Sequence, residues 1–245
     1  MEIQQIVQEG YQILFLSSLP VQTLKSMRDP VLAPKDMEAL DQEVSDLLQK
    51  GSIELARGLG FTSHLFCIPK KDGDLQPVLN LKPLNRFVQP QAFKMETIKV
   101  VCQLISKNDF LTSLDLQDVF HHILIHPASH RFLQFQWWGK TYQFWVLPFG
   151  LSLVPWVFTK VLQPLLQWAR SQGICLMAYL DDLLITAATR ELSIRHTAMV
   201  KAKLEELGYL IKMSKSQLEP TQMIKHLGYL INTQNMTLSV PTNKI

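Results

Sequence analysis

Residues Ile174–Ala188, ICLMAYLDDLLITAA, constrain this chain more than any other stretch. Two apolar runs, 174–180 and 183–187, flank the adjacent carboxylates Asp181 and Asp182. Short continuous apolar runs bounded by a turn signal predict buried strands, although periodicity alone leaves a buried helix open. As a hairpin, the segment carries both aspartates at its tip, where a sheet meets solvent. Charged side chains are rarely buried unless paired or bound to metal, so the pair requires a reason. A membrane span fits poorly, because each run is too short and the charges would sit at mid-bilayer. Two readings stay open from this segment alone. One is an acidic turn, since Asp is a good turn former; the other is metal ligation.

A chain of 245 residues can bury one large core or two subdomains. Hydrophobic residues at 47% and charged residues at 18% exclude a disordered chain. The net charge of +3 is small, but it is unevenly placed. Between His64 and Lys107 seven basic residues face three acidic ones, a local excess that suits either a solvated surface or a polyanionic partner. Cys67, Cys102 and Cys175 are widely spaced among apolar residues and form no ligand pattern. Reduced, buried thiols of an intracellular protein are therefore expected, with no choice between cytoplasm and nucleus. No secretory signal is evident, and the ending after a strand-like segment leads us to expect a fragment of a longer protein.

In chain order, residues 1–33 give no clear pattern. Met37, Leu40, Val44, Leu47 and Leu48 then fall on one helical face, and Gly51 stops the helix. Strand-like residues 61–69 and 75–81 enclose Lys70-Lys71-Asp72-Gly73-Asp74, a hairpin signal. A helix is predicted over 96–107 with Ile98, Val101, Cys102 and Ile105 inward. Residues 110–114 predict a strand ending in Asp115-Leu116-Gln117-Asp118, and 131–137 with 140–146 predict a second hairpin about Gly139. A helix from Pro155 to Arg170 should be kinked or cut by Pro164. A helix over 191–207 and strands over 209–213 and 224–231 follow. From residue 110 the order is strand, helix, strand, strand, helix, strand. This βαββαβ order describes an α+β, ferredoxin-like sheet with its helices on one face. It brings the Asp115 strand beside the Asp181-Asp182 hairpin.

Three aspartates at one sheet edge repel each other and need a cation. Carboxylates without His or Cys select Mg²⁺ or Mn²⁺. Two such ions about 4 Å apart can clamp the attacking and leaving oxygens of a phosphoryl transfer. The residues therefore point to a two-metal nucleotidyltransferase.

The motifs also resemble a known family. YLDD at 179–182 resembles the signature of reverse transcriptases, and IPKKDGDLQPVLNLKPLN at 68–85 resembles their fingers motif. LDLQDVFHHILIHP at 114–127, LPFGLSLVPWVFTK at 147–160, SKSQLEP at 214–220 and HLGYLI at 226–231 resemble the palm motifs in family order. FKME at 93–96 and QFWVLPFGLS are most similar to retrotransposons of the DIRS type. The resemblance implies an RNA-directed DNA polymerase of the fingers/palm fold that adds deoxynucleotides to a primer 3′-hydroxyl. Its partners would be an RNA or DNA template-primer duplex and deoxynucleoside triphosphates, with two Mg²⁺ or Mn²⁺ ions and no membrane. Fingers are expected at about 35–110 and palm at about 110–235. An N-terminal extension would occupy 1–34, and 236–245 would begin a thumb or connection.

By the same resemblance Asp115, Asp181 and Asp182 are the metal triad, and Lys215 protonates the leaving pyrophosphate. Phe120 is the steric gate, while Lys70, Lys71, Gln76, Phe149 and Gly150 meet the nucleotide. Leu227, Gly228 and Tyr229 grip the primer. Some positions depart from the family pattern: Gln76 replaces an Arg, Val119 and Val154 replace Ala, and Trp156 is unusually bulky. A neutral amide cannot supply a guanidinium fork. Two alternatives follow: an inactive nucleic-acid-binding remnant of a retroelement, and an RNA-dependent RNA polymerase, against which Phe120 argues. The residues carry no signal for oligomeric state.

Overall fold

The computed structural model describes residues 3–19, 33–69, 75–93 and 97–240. Helices α1 (Ile3–Glu9) and α2 (Pro34–Gln49) precede strands β1 (Ile53–Leu55), β2 (Thr62–Pro69) and β3 (Leu75–Asn80). Short helix α3 (Lys82–Asn85), helix α4 (Ile98–Leu104), strand β4 (Phe110–Gln117) and a 3₁₀ turn (Val119–His122) come next. Helix α5 (Pro127–His130), the hairpin β5 (Gln134–Trp137) and β6 (Lys140–Phe144), and helix α6 (Val154–Ser171) follow. The remainder is β7 (Cys175–Tyr179), β8 (Asp182–Ala187), α7 (Arg190–Glu206), β9 (Leu210–Ile211), β10 (Gln217–Thr221), β11 (Met223–His226), β12 (Tyr229–Asn232) and β13 (Thr237–Ser239). The chain divides into two compact, interleaved units: Met1–Ala92 with Phe120–Phe158, and Phe93–Val119 with Thr159–Ile245.

The first unit holds a five-stranded sheet in the order β1-β6-β5-β2-β3. β2 and β3 form the expected hairpin, with Ile68 opposite Gln76 and Pro69 opposite Leu75; its Lys70-Lys71 tip lies outside the described residues. Pro77 is tolerated because β3 is an edge strand. Helix α2 buries Leu40, Val44 and Leu47 as its periodicity predicts, whereas Leu48 stays in solvent. Asp41 on its polar side accepts the indole N–H groups of Trp137 (2.7 Å) and Trp138 (2.6 Å). The patternless N-terminus proves to be a strap. Tyr11 donates its backbone N–H to Leu124 and bridges Ile125, and Leu16 donates to Phe87. The Tyr11 ring is buried edge-on to Trp156, 6.1 Å between centroids, so the bulk of Trp156 serves as a seat for the strap. Burial pushes the Tyr11 phenol up to about 12, so it stays neutral.

The second unit is built on a sheet in the order β10-β4-β8-β7, with β9 also pairing β4. Counting β9/β10 as the fourth strand, this is the ferredoxin-like order 4-1-3-2, with every pairing antiparallel. Strand alternation sorts the side chains onto two faces. On one, the Thr112 hydroxyl meets that of Thr197 on α7 at 2.6 Å, and Lys203 of α7 lies over the Trp168 ring of α6. On the other, Leu111, Met177 and Leu184 pack with Val101 and Ile105 from α4 and with Ile224 and Ile231.

Several local expectations are corrected. Residues 224–231 are not one strand but the hairpin β11–β12, with Leu227 (φ 49°) and Gly228 (φ 80°) as its two-residue turn. Positive φ at both central positions matches the right-handed twist of the strands, and Gly228 takes it without steric cost. The strand expected over 209–213 shrinks to Leu210–Ile211, and β10 supplies most of the fourth position. The helix expected over 96–107 is formed across Ile98–Leu104. Pro164 does not end α6, which runs through it. The hydrogen bond lost there is offset by burial of Val157, Phe158, Leu162, Leu165 and Ala169 along the same helix. The thiols are free, yet none is fully buried, and Cys102 is exposed beside inward-facing Val101. Among the described residues no helix is long and apolar enough to cross a membrane.

Candidate active site

The chemistry gathers in the second unit, at the end of β4 and the β7–β8 turn. Asp182, the first residue of β8, sits directly opposite Asp115 of β4 and also opposite Tyr179 of β7. Directly opposed like charges in a sheet are destabilising, their Cβ atoms being roughly 5 Å apart. The turn between the strands is Leu180-Asp181, with Leu180 at φ 53°. Leu180 holds this left-handed conformation at a cost of about 1–2 kcal/mol. The turn is tied to the neighbouring strand by the Leu116 N–H, which donates to the Asp181 carbonyl at 2.8 Å. Backbone register thus sets where the three acids stand.

Their electrostatics follow from that placement. Solvent reaches Asp181, but its carboxyl is held above the usual carboxylate range, first by partial burial and then by the negative charges of Asp115 and Asp182. A hydrogen bond to the backbone and the Lys215 ammonium pull it back down. Lys215 belongs to a loop stapled to β4. The Lys212 N–H donates to the Asp115 carbonyl at 2.8 Å, and the Asp115 N–H donates to Ser216 Oγ at 3.0 Å. Ser216 Oγ in turn donates to the Lys212 carbonyl at 3.0 Å. Ser216 therefore fixes both the backbone bearing Asp115 and the loop bearing Lys215. It lies within SKSQLEP, yet the sequence reading gave it no role. His226 is also missed by the sequence reading: its imidazole is buried, with Nδ1 3.2 Å from Asp182 Oδ2. Leu227, Gly228 and Tyr229 lie at the tip of that same β11–β12 hairpin.

Among the described residues no three His, Cys, Asp or Glu side chains close into a cage of their own. That donor set still fits Mg²⁺ or Mn²⁺. Hard cations of this kind take one or two carboxylates and complete their shell with waters and substrate phosphates.

In the first unit Phe120, Phe149 and Gly150 come together. The Phe120 ring lies edge-on to Phe158 at 5.6 Å and 6.2 Å from Phe149, which is 63% exposed. Asn85 clamps the loop: its amide donates to the Gly150 carbonyl and its carbonyl accepts the Ser152 N–H, both at 2.8 Å. Gly150 has φ 96°, and a Cβ there would stand 3.5 Å from the Leu79 carbonyl, so backbone conformation rather than space demands glycine. Gln76 is exposed on β3 opposite Ile68, while Lys70 and Lys71 lie outside the described residues. Val119 and Val154 are both buried, so packing accounts for their bulk.

A family model described as reverse transcriptase (RNA-dependent DNA polymerase) matches residues 68–231. The chain belongs to the reverse transcriptase family. This reverse transcriptase domain is 27% identical to the Transposon Tf2-3 polyprotein of Schizosaccharomyces pombe over 95% of its own length, but it spans 16% of that polyprotein. The Tf2-7 polyprotein of the same organism is 26% identical over the same shares. Among solved structures, the foamy viral protease-reverse transcriptase dRH in complex with double-stranded DNA superposes with a TM-score of 0.79 at 23% identity, covering 98% of this chain and 39% of that one. The foamy viral protease-reverse transcriptase in complex with an RNA/DNA hybrid gives 0.76 at 23%, covering 89% and 28%. These likenesses establish the reverse transcriptase fold, fingers and palm included.

Proposed function

We propose that this reverse transcriptase domain extends a primer 3′-hydroxyl on an RNA or DNA template, consuming deoxynucleoside triphosphates and releasing pyrophosphate. The observation that carries the reading is the register pairing of Asp115 with Asp182, with Asp181 in the adjoining turn. Asp115, Asp181 and Asp182 would hold two Mg²⁺ or Mn²⁺ ions, which when bound supply positive charge to the attacking and leaving oxygens. Lys215, whose charge reaches Asp181, would give a proton to the departing pyrophosphate. The Phe120 ring, braced by Phe158, is the proposed barrier to a ribose 2′-hydroxyl. Phe149 and Gly150 would line the nucleotide and Gln76 would meet its phosphates, a role also proposed for Lys70 and Lys71, which lie outside the described residues. Leu227, Gly228 and Tyr229 form the primer grip. Fingers would occupy about 35–110 and palm about 110–235, interleaved, so each compact unit coincides with one of them only in part. The complexes of the foamy viral proteins support a nucleic-acid duplex as partner. Contacts to the duplex backbone would make binding fall as salt rises.

The test is primer extension on a poly(rA)-oligo(dT) template with Mg²⁺ or Mn²⁺. Asp115→Asn and Asp181→Asn should each lose at least about 100-fold, since several kcal/mol of charge stabilisation depends on the bound ions. An Asp181→Asn variant that extends as well as the parent defeats the mechanism. One observation favours a second reading, an inactive nucleic-acid-binding remnant: the neutral, exposed Gln76 stands where the family carries Arg. Such a remnant gains no activity from Gln76→Arg. The FKME and QFWVLPFGLS motifs support a DIRS-type retrotransposon as the source. A tyrosine recombinase encoded beside this domain would test that.

A further inference from the structure

One buried polar group has no part in the reaction outlined above. His226 ends β11, where Ile224 and His226 face inward while Met223 and Lys225 face solvent. Ile224 packs into the cluster of Leu111, Met177 and Leu184, and this fixes the side of the sheet to which the imidazole is turned. Its side chain is 1% exposed, and Nδ1 stands 3.2 Å from Oδ2 of Asp182, whose own side chain is 35% exposed. Even at that distance Nδ1 does not complete a hydrogen bond to Oδ2, and it finds no other partner among the described residues. A buried nitrogen left unbonded is costly, and an apolar ring would fill the slot without that cost. The tight Leu227-Gly228 turn opposes Tyr229 to His226, so the imidazole cannot slide along the strand.

We propose that His226 is a positioning residue: its Nδ1–H takes Oδ2 of Asp182, fixes the rotation of that carboxylate and leaves the other oxygen directed at a divalent cation. The inference rests on the metal-binding reading of the three aspartates. Carboxylate ligands are commonly held by a hydrogen-bond donor behind them, and removing such a donor costs roughly 10- to 100-fold in metal affinity. Asp115 and Asp182 face each other with like charge, so an unheld Asp182 would swing away from its neighbour.

The experiment is calorimetric titration of Mn²⁺ into the purified 245-residue chain, with thermal melting of each variant alongside. His226→Phe, which keeps a ring but no donor, should weaken Mn²⁺ binding about tenfold. His226→Asn, which returns an N–H close to the Nδ1 position, should recover most of it. In an Asp182→Asn background the Phe substitution should change nothing further. A Phe variant that binds Mn²⁺ like the parent overturns the proposal, as does an Asn variant no better than Phe or an undiminished loss in the Asp182→Asn background. If melting shows the Phe variant unfolded, the Asn variant decides alone: near-parental affinity supports the proposal and a tenfold loss overturns it. Parental Mn²⁺ binding indifferent to Asp181→Asn overturns the metal reading itself, and is distinguished by that control.

Discussion

The β7–β8 and β2–β3 hairpins both carry charged tips on antiparallel strands, yet they are built differently. β8 lies between β4 and β7, and its residues from Leu183 to Ala187 are all buried, up to the aspartate at its start. β3 is an edge strand, and β2 alternates buried and exposed residues until, beyond Leu65, none is buried. The contrast teaches where placement accuracy is needed. If the aspartates share small cations as proposed, they need a fixed backbone, and a strand packed on both faces provides one. The β2–β3 hairpin, for which we propose only contact with phosphates, leaves the side chains beyond Leu65 open to solvent.

The largest expected difference between the two is in stability. Leu184→Ala, at 0% exposure in β8, should cost about 3 kcal/mol and lower the melting temperature by several degrees. Phe66→Ala, at 37% exposure in β2, should cost less than about 1 kcal/mol. Equal losses in thermal or urea melts would break the comparison. Next in size is Gln76→Arg on the open hairpin. A guanidinium there should lower the KM for deoxynucleotides roughly tenfold with kcat little changed, as a charge-assisted hydrogen bond of about 1.5 kcal/mol predicts. An unchanged KM would show that the position does not reach the triphosphate.

The smallest effect concerns pH. The Asp181 carboxyl is raised in the fold, so its neutral form is favoured there. Its contribution to stability is full below the unfolded value near 3.8 and is lost as pH rises through the folded value. Asp181→Asn should therefore melt slightly higher than the parent at pH 7, by less than about 1 kcal/mol because solvent screens the charge. The advantage should shrink as pH falls to 3.8 and below. Parallel melting curves across that range would remove charge crowding as the cause.

Much of the second unit was legible because its signals are local. The runs 174–180 and 183–187 read as strands from their own residues, and Asp115 followed from the βαββαβ order. The strap escaped notice because Tyr11 and Leu16 take their partners from residues 124–125 and 87, far along the chain. The β11–β12 turn was missed because Leu227 holds a positive φ that a leucine does not announce. In HLGYLI the flanking apolar residues concealed His226, whose importance is the acid it meets and not its neighbours in sequence. Ser216 likewise gains its role from Asp115, a hundred residues earlier.

The interleaving of the two units bears on synthesis. β1 pairs with β6, and β2 takes β5 as its parallel neighbour, so the first unit cannot close its sheet until residue 144 has left the ribosome. The second unit waits longer, because β4 takes β10 at Gln217–Thr221 as a neighbour. A nascent chain cut short inside α7 would thus leave β4 with one flank bare, an open strand edge of the kind that invites aggregation. A premature stop anywhere before that point would leave this edge uncovered, a cost to folding separate from any loss at the acidic turn.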